Sequence, residues 1–307
     1  MPAVIIEKPG MLTTVQDLGR WGYQHFGVPV AGPMDPYSHR LANRLVGNAD
    51  GAATLEVSVV GPEVRFEEDV TFVVAGASFP LDLDGAAIPI HVACCAGAGS
   101  RLRFGRSTRG ARAYLAVAGG IDVPAVLGSR ATSLVSRLGP FGGRPLKAGD
   151  RLPVGVTRGR PLDRAVPLPL PGGGATVRVL WGPQDDAFTA ASRDAFVSSR
   201  FAITPQSNRM GFRLAGPTLA HETSADLLSE ATPLGSIQVP ASGQPILLMA
   251  DRQTTGGYPK IATVIAADVP LAGQLDAGDW IGFAPCTLDE ARRAWREMEE
   301  RLDEGAL

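Results

Sequence analysis

The chain has 307 residues, of which 45% are hydrophobic and 20% are charged, and its formal net charge is -2. This composition is that of an ordinary globular protein, long enough to bury a sizeable core in one large or two medium domains. The near-neutral charge, without a Lys/Arg-rich run or a basic tail, argues against nucleic acid or an anionic membrane surface as a partner.

The first residues and the cysteines indicate the compartment. The start, "MPAVIIEKPG", lacks the basic, apolar and small-residue order of a signal peptide, and no uncharged apolar stretch reaches the roughly 18 residues that span a bilayer. Cys94, Cys95 and Cys286 have no CxxC spacing, and the first two lie in an apolar run. We therefore expect a cytoplasmic protein with buried, reduced thiols and no metal site.

Short β-rich runs among 37 glycines and 25 prolines predict a mainly β protein of barrels or sandwiches with few helices.

In chain order, the first predicted helix covers residues near 36–46, with Asp35 as N-cap and Pro36 at the first helical position. A weaker candidate follows Asp185 and Asp186. The last helix, 287–307, has a capping box of Thr287 and Glu290. Its apolar stripe, interpreted as a packing face, contains Leu288, Ala291, Trp295, Met298 and Leu302.

The order of features from about Val4 recurs from about Val177, which predicts two related lobes. In this repeat, Arg20 corresponds to Arg209 and Glu56 to Glu230, and the helix near 36–46 is an insertion in the first lobe. The predicted domains are a first β lobe at 1–156, a Pro/Gly-rich linker at 157–174, a second β-barrel lobe at 175–286 and the C-terminal helix at 287–307.

Three polar clusters beside apolar strands of the second lobe are the strongest candidates for chemistry. They are "TPQSNRMG", "LLSEATPLG" and "LLMADRQTTGGYPKIA". Lys260 re-enters an apolar strand, where its ammonium needs a carboxylate or an anionic ligand. The alternative is an internal Arg/Glu/Lys network that orders the mouth of the barrel. The predicted catalytic residues are Lys260, Glu230 and Asp251, and the predicted substrate-binding residues of this lobe are Gln206, Ser207, Asn208, Arg209, Arg252 and Gln253.

The first lobe adds four predicted substrate-binding residues, namely Asp17, Arg20, Asp35 and Arg137. His39 and Asn43 share one face of the predicted helix, and a solvated polar face explains that pair equally well. No phosphate-binding loop, dinucleotide loop, nucleophile elbow or biotinylation site is visible. The sequence therefore predicts that another chain assists with any activated substrate.

Several of these segments together resemble the KipA family, also called allophanate hydrolase subunit 2, biotin-dependent carboxyltransferase or the C subunit of 5-oxoprolinase. They include "TTVQDLGRWGYQHFGVPVAGPMDPYSHRLANRLVGN", "PLKAGDRL", "ITPQSNRMGFRLAGP", "SEATPLGSIQVPASGQPILLMADRQTTGGYPKIATVI" and "LDAGDWIGF". The resemblance covers nearly the whole chain and implies β-barrel lobes of the cyclophilin-like class. It also implies two partners, which are a KipI-like B subunit and a LamB/YcsF-type A subunit.

The resemblance implies an ATP-dependent complex that hydrolyses the lactam of 5-oxo-L-proline to L-glutamate. ATP is then needed by the complex, although this chain shows no ATP motif. One alternative is a carboxyltransferase that acts on urea or a similar amide with a separate biotin carrier, and only this alternative needs biotin. The other is a KipA-type regulatory protein that antagonises a KipI-like kinase inhibitor. The expected ligand is a small amide or lactam.

Overall fold

A computed structural model describes residues 2–157, 159–222 and 224–304. Within these residues the chain forms two compact units. Unit 1 takes in residues 2–20, 31–170 and 300–304, and unit 2 takes in Trp21–Val30 and Pro171–Glu299. The predicted domain boundaries follow the chain continuously and stay a prediction.

Unit 1 is built mainly from strands. Its elements are β1 (Ala3–Lys8), β2 (Leu12–Gln16), α1 (Pro36–Leu45), β3 (Thr54–Ser58), β4 (Glu63–Phe66), β5 (Val70–Ser78), β6 (Leu81–Leu83), β7 (Ala86–Ile88), β8 (Cys94–Ala96), β9 (Arg101–Phe104), β10 (Arg109–Val117), the short helical turn α2 (Pro140–Gly143) and β11 (Arg151–Pro153). One sheet has the order β11-β1-β4-β9-β6-β7 and the other the order β2-β3-β10-β5-β8. Both sheets contribute to one apolar core that includes Ile6, Phe66, Phe72 and Leu115.

Unit 2 contains a closed barrel. Its elements are β12 (Gly174–Trp181), α3 (Ala190–Ser198), β13 (Phe201–Ile203), β14 (Gly211–Ala215), β15 (Glu230–Ala231), β16 (Ser236–Gln238), β17 (Ile246–Leu248), β18 (Thr255–Gly256), β19 (Lys260–Val264), α4 (Val269–Gly273), β20 (Trp280–Pro285) and α5 (Leu288–Asp303), which begins in this unit. The barrel order is β12-β19-β16-β17-β14-β13-β20, and β12 pairs with β20 in parallel to close it. β15 and β18 form a separate two-stranded sheet.

The mainly β prediction, with few helices and one of them C-terminal, is confirmed in the described part of the chain. Asp35 caps α1 as predicted, because its Oδ1 accepts a hydrogen bond from Ser38 N at 2.9 Å. The capping box of α5 is also present, with Thr287 N donating to Glu290 Oε2 at 2.7 Å. None of the helices in residues 2–157, 159–222 and 224–304 is long and apolar enough to cross a bilayer.

Three local predictions need correction. A helix follows Asp185 and Asp186 as predicted, but it starts only at Ala190 with Thr189 as its N-cap, because the two aspartates form a short 3-10 turn. The cysteines are not buried as predicted, because Cys95 is exposed and Cys94 and Cys286 are only partly buried. The apolar stripe of α5 is only partly a packing face, because Leu288 and Trp295 stay exposed while Met298 is buried.

The polar pair of α1 is buried and not solvated. His39 and Asn43 are fully buried, with His39 Nδ1 at 2.9 Å from Thr54 Oγ1 and Asn43 Nδ2 donating to Ala52 O at 2.8 Å. Burial lowers the pKa of His39 to about 4, because the charged ring would lose its hydration. The imidazole of His39, on the buried face of α1, is therefore neutral in the folded protein.

His39 makes stability depend on pH. The unfolded ring takes up a proton below about pH 6.5, whereas the folded ring does so only near pH 4, so stability is full above pH 6.5 and falls between those values. We expect the wild type to lose about 2 kcal/mol more than His39→Asn between pH 8 and pH 5 in urea unfolding. His25→Asn, at an exposed ring, is the matched control, and equal losses in wild type and His39→Asn would disprove this explanation.

Candidate functional site

The segment "TPQSNRM" is the connection of a β-hairpin in unit 2. It joins β13 to β14, whose register pairs Ile203 with Leu214. Backbone hydrogen bonds then tie the hairpin to the residues after β17, with Met249 N donating to Met210 O at 2.9 Å and Asp251 N donating to Arg209 O at 2.8 Å. This backbone pairing places Arg209 beside Asp251.

Arg209 and Asp251 form a buried ion pair. The Nε of Arg209 donates to Asp251 Oδ2 and its Nη2 donates to Oδ1, both at 3.1 Å, so the guanidinium binds the carboxylate through two parallel hydrogen bonds. Both side chains are almost fully buried. Both carboxylate oxygens of Asp251 already accept hydrogen bonds from Arg209. Asp251 is therefore better suited to positioning Arg209 than to transferring protons.

A second ion pair joins Lys260 to Glu230. The side chain of Lys260 is 4% exposed, and its Nζ donates to Oε1 of Glu230, whose side chain is 41% exposed. Gln184 bridges the pair, because its Nε2 donates to Glu230 Oε1 at 2.7 Å and its Oε1 accepts from Lys260 N at 3.2 Å. The Lys260 ammonium holds the pKa of the Glu230 carboxyl below its usual range. Glu230 is thus an ionised, partly accessible carboxylate at neutral pH.

The segment of Glu230 is linked to the segment of Asp251. Thr232 N donates to Thr254 O at 3.1 Å, and Arg252 Nε donates to Thr232 O at 2.9 Å. Burial lowers the pKa of the Arg252 guanidinium. The two ion pairs therefore lie on neighbouring, mutually bonded segments of unit 2.

The side-chain amides of Gln238 and Gln253 meet nearby. Gln253 Nε2 donates to Gln238 Oε1 at 3.1 Å, and Gln238 Nε2 donates to Tyr258 O at 3.3 Å. Gly256 permits this approach, because a Cβ at that position would lie only 2.7 Å from Gln238 Nε2. A side chain larger than hydrogen at residue 256 would displace the amide pair.

These amides line a pocket of about 160 Å³ on the outer wall of the barrel. Register pairs Ile246 with both Arg213 and Gln238, so these three residues share one face of three neighbouring strands. The alternate residues Phe212, Ile237 and Leu247 fill the interior of the barrel. The lining residues of this outer pocket are Asn208, Met210, Gly211, Arg213, Gln238, Ile246, Leu248, Gln253 and Tyr258.

The remaining predicted residues of the hairpin are arranged around a tight turn. Ser207 Oγ accepts from Arg213 N at 3.0 Å, and Asn208 Oδ1 accepts from Met210 N at 2.8 Å, so both side chains help to fold the hairpin. Gln206 and Asn208 are exposed. Of the predicted residues in unit 2, Asn208 and Gln253 reach the outer pocket, whereas Lys260, Glu230, Asp251 and Arg209 are not among its lining residues.

Asp17 and Arg20 lie in unit 1 and hold one loop. Asp17 Oδ1 accepts from Ser129 Oγ at 2.6 Å and its Oδ2 accepts from Arg130 N at 2.5 Å, while Arg20 Nη2 donates to Ala131 O at 2.5 Å. These contacts give both side chains a structural task, and their substrate-binding role stays a prediction.

Asp35 and Arg137 also lie in unit 1. Besides capping α1, Asp35 donates its backbone N–H to Tyr114 Oη at 2.8 Å, and that hydroxyl donates to buried Glu56 Oε2 at 2.8 Å. Arg137 is exposed and has a φ of 52°, a left-handed conformation that costs energy in any residue but glycine. Neither observation tests their predicted role.

Sequence reasoning missed Gln184, Arg213, Gln238 and Tyr258. Gln184 was visible as the polar residue after "LWGP", and Gln238 as a lone amide in the strand "SIQV". The described residues hold no group of three or more His, Cys, Asp or Glu side chains placed to bind a metal ion. The polar groups described above are two ion pairs and a group of side-chain amides.

Comparison with known proteins places this arrangement in a family. Residues 26–285 match the model of the carboxyltransferase domain, subdomain A and B, and the chain belongs to that family. The chain is 42% identical to the 5-oxoprolinase C subunit of Escherichia coli (strain K12), with 97% of this chain and 96% of the relative covered. It is 38% identical to the 5-oxoprolinase C subunit of Haemophilus influenzae, with 95% and 94% covered.

Longer proteins contain the same fold as one part. The urea amidolyase of Saccharomyces cerevisiae is 34% identical over 94% of this chain, which spans only 17% of that protein. The crystal structure of the Kluyveromyces lactis urea carboxylase superimposes with a TM-score of 0.93 at 33% identity, covering 99% of this chain and 29% of that chain. The resemblance to the carboxyltransferase family is thereby confirmed.

The Arg209–Asp251 pair generates a stability prediction. Removing one partner leaves a buried, uncompensated charge, so Arg209→Met and Asp251→Ala should each lower the free energy of unfolding by about 3–5 kcal/mol. The double variant should lose at least about 2 kcal/mol less than the sum, measured as a double-mutant cycle in urea.

The control is Arg193→Met, which breaks an exposed contact of 3.7 Å to Asp185 and should cost under about 1 kcal/mol. Additive losses in the double variant would show that the two side chains do not stabilise the fold as a pair.

Proposed function

We propose that this chain is the C subunit of an ATP-dependent 5-oxoprolinase complex, which hydrolyses the lactam of 5-oxo-L-proline to L-glutamate together with a KipI-like B subunit and a LamB/YcsF-type A subunit. The observation that carries the proposal is the end-to-end match to two proteins named as 5-oxoprolinase C subunits, of which the chain covers 96% and 94%. The outer pocket supplies a site of fitting size and chemistry.

The pocket suits a small, planar, anionic amide. Its volume of about 160 Å³ lies below the roughly 300–1,000 Å³ of pockets for drug-sized ligands, so it fits a compound of few heavy atoms and not a nucleotide. Gln238 and Gln253 offer both amide donors and amide acceptors, which match the N–H and C=O of a lactam. The guanidinium of Arg213 is available for the carboxylate of 5-oxoproline.

We assign proton transfer to the Lys260–Glu230 pair. Hydrolysis breaks the bond between the lactam carbonyl carbon and its nitrogen, so water must lose a proton to a base and the leaving nitrogen must gain one. The pair adjoins the outer pocket, because Glu230 pairs with Gly256 and a Cβ at Gly256 would lie 2.7 Å from Gln238 Nε2. The ionised, partly exposed Glu230 takes the proton from water, and the Lys260 ammonium gives a proton to the leaving nitrogen. Arg209 and Asp251 keep the neighbouring hairpin in place. ATP enters as a substrate of the complex, and no residue of this chain is assigned to it.

The first test is ATP-dependent glutamate release from 5-oxo-L-proline by this chain mixed with candidate A and B subunits. We expect glutamate from the full mixture and none when any one component or ATP is omitted, because the reaction needs the assembled site. A folded mixture that forms no glutamate, or that forms as much without this chain, would disprove the assignment.

Two variants separate substrate binding from chemistry. Lys260→Met should lower kcat about 100-fold or more with little change in KM, because it removes the proton-bearing partner of Glu230. Arg213→Leu should instead raise KM for 5-oxoproline, because the substrate carboxylate loses its counter-ion.

Lys147→Met, at an exposed lysine of unit 1, is the control and should leave both constants unchanged. All three variants should melt within a few degrees of the wild type. A Lys260→Met protein with wild-type kcat would remove Lys260 from the mechanism.

Carboxyl transfer is the second candidate, favoured by the TM-score of 0.93 to the Kluyveromyces lactis urea carboxylase. A planar urea would use the same amides, and the carboxyl group would come from a biotin carrier on another polypeptide. Turnover that requires biotin and bicarbonate would select this function over lactam hydrolysis.

A further inference from the structure

Unit 2 carries an apolar groove that the proposed chemistry does not use. It has a volume of about 740 Å³, is open to solvent along one side and lies beside α5. One wall consists of apolar residues from β12, β19, the turn after β19 and α4, among them Leu180, Val264 and Val269. The other wall consists of Ala291, Arg292, Trp295 and Arg296 of α5.

The groove includes apolar surface of α5 that the fold leaves uncovered. Ala294 and Met298 are buried at 5% and 7% exposure, whereas Trp295 is 42% and Leu288 is 52% exposed. Of these residues, Trp295 lines the groove. An indole left half-exposed in an apolar groove is typical of an interaction site, because its burial by a partner removes a large apolar area from water.

The charges of the groove specify the partner's chemistry. Among its lining residues the ionised side chains are Arg292 and Arg296, which flank Trp295 on α5 and are both exposed. The guanidinium of Arg292 has a distant contact to Asp289, at 3.7 Å. Trp and Arg are among the residue types most enriched at the energetic centres of protein interfaces. A complementary partner therefore combines apolar side chains with Asp or Glu.

We propose that this groove binds an apolar segment flanked by acidic residues from another polypeptide of the complex. The inference rests on the proposed function for the existence of that polypeptide. The groove suits a polypeptide better than a small ligand, because it is open along one side and has few polar atoms to orient a compact molecule. Carboxylates of the segment pair with Arg292 and Arg296, while its apolar side chains cover Trp295.

The test measures binding of the full-length chain to candidate A and B subunits, each titrated separately. Arg292→Glu/Arg296→Glu should weaken binding to one of them at least tenfold, because two attractive charges become repulsive. Trp295→Ala should also weaken it at least tenfold. Arg293→Glu is the matched control, since Arg293 is exposed on the same helix but does not line the groove, and it should stay within twofold.

Salt dependence provides a second readout. Wild-type binding should weaken as ionic strength rises, and this dependence should shrink or reverse in Arg292→Glu/Arg296→Glu. Both charge variants lie on the exposed surface and should melt as the wild type does. The inference fails if the double charge variant and Trp295→Ala bind like the wild type, or if the wild type binds neither of the two candidates.

Glutamate release separates this inference from the proposed function. If the wild-type mixture releases glutamate and the groove variants bind like the wild type, only the inference about the groove is overturned. If those variants lose binding but the wild-type complex releases no glutamate, the groove is supported as a partner-binding site and the oxoprolinase assignment is overturned. Self-association of the isolated chain that the groove variants abolish would assign the groove to a second copy and overturn the inference.

Discussion

The cost of taking charge out of water determines how the polar side chains of unit 2 are arranged. Arg209 and Asp251 are both nearly fully buried, and either charge would be costly there without the other. The pairing requires that the hairpin before β14 and the residues after β17 meet in one register, which their backbone hydrogen bonds provide. The hairpin also carries Asn208 and Met210 to the outer pocket. The ion pair thus stabilises a loop whose other residues line the outer pocket.

Physical arguments from single residues predicted part of this arrangement. A lysine entering an apolar strand needs an anionic partner, and Lys260 has one in Glu230. The polar segment "TPQSNRM" could not form regular structure, and it is a hairpin connection. The N-cap at Asp35 and the capping box of α5 followed from side chains that hydrogen-bond backbone atoms a few residues away. These predictions succeeded because each depends on local chemistry or on the burial of one charge.

Other features depend on strand pairing, which local patterns do not reveal. Gln238 and Arg213 become neighbours only because both pair with Ile246 of β17. Gln184 reaches Lys260 and Glu230 across 76 and 46 residues of chain. The repeat predicted equivalent positions for Glu56 and Glu230, yet Glu56 is buried in a five-stranded sheet whereas Glu230 lies half-exposed in a two-stranded one. The burial of a glutamate depends on the sheet that surrounds it, and the residues next to it in sequence do not reveal which strands form that sheet.

The location of the pocket on the outer wall of the barrel has a consequence for the proposed function. Phe212, Ile237 and Leu247, which alternate with the pocket residues along their strands, are apolar and fully buried, so the pocket lies on the opposite face of these strands. A small ligand on the outer wall stays in contact with water on one side, where charged groups are screened and reactive species hydrolyse. Under the proposed function, another polypeptide must cover that side. In relatives of nearly the same length as this chain, a separate polypeptide would then cover the pocket. In relatives of which this fold is 17%, a fused domain of the same protein would do so.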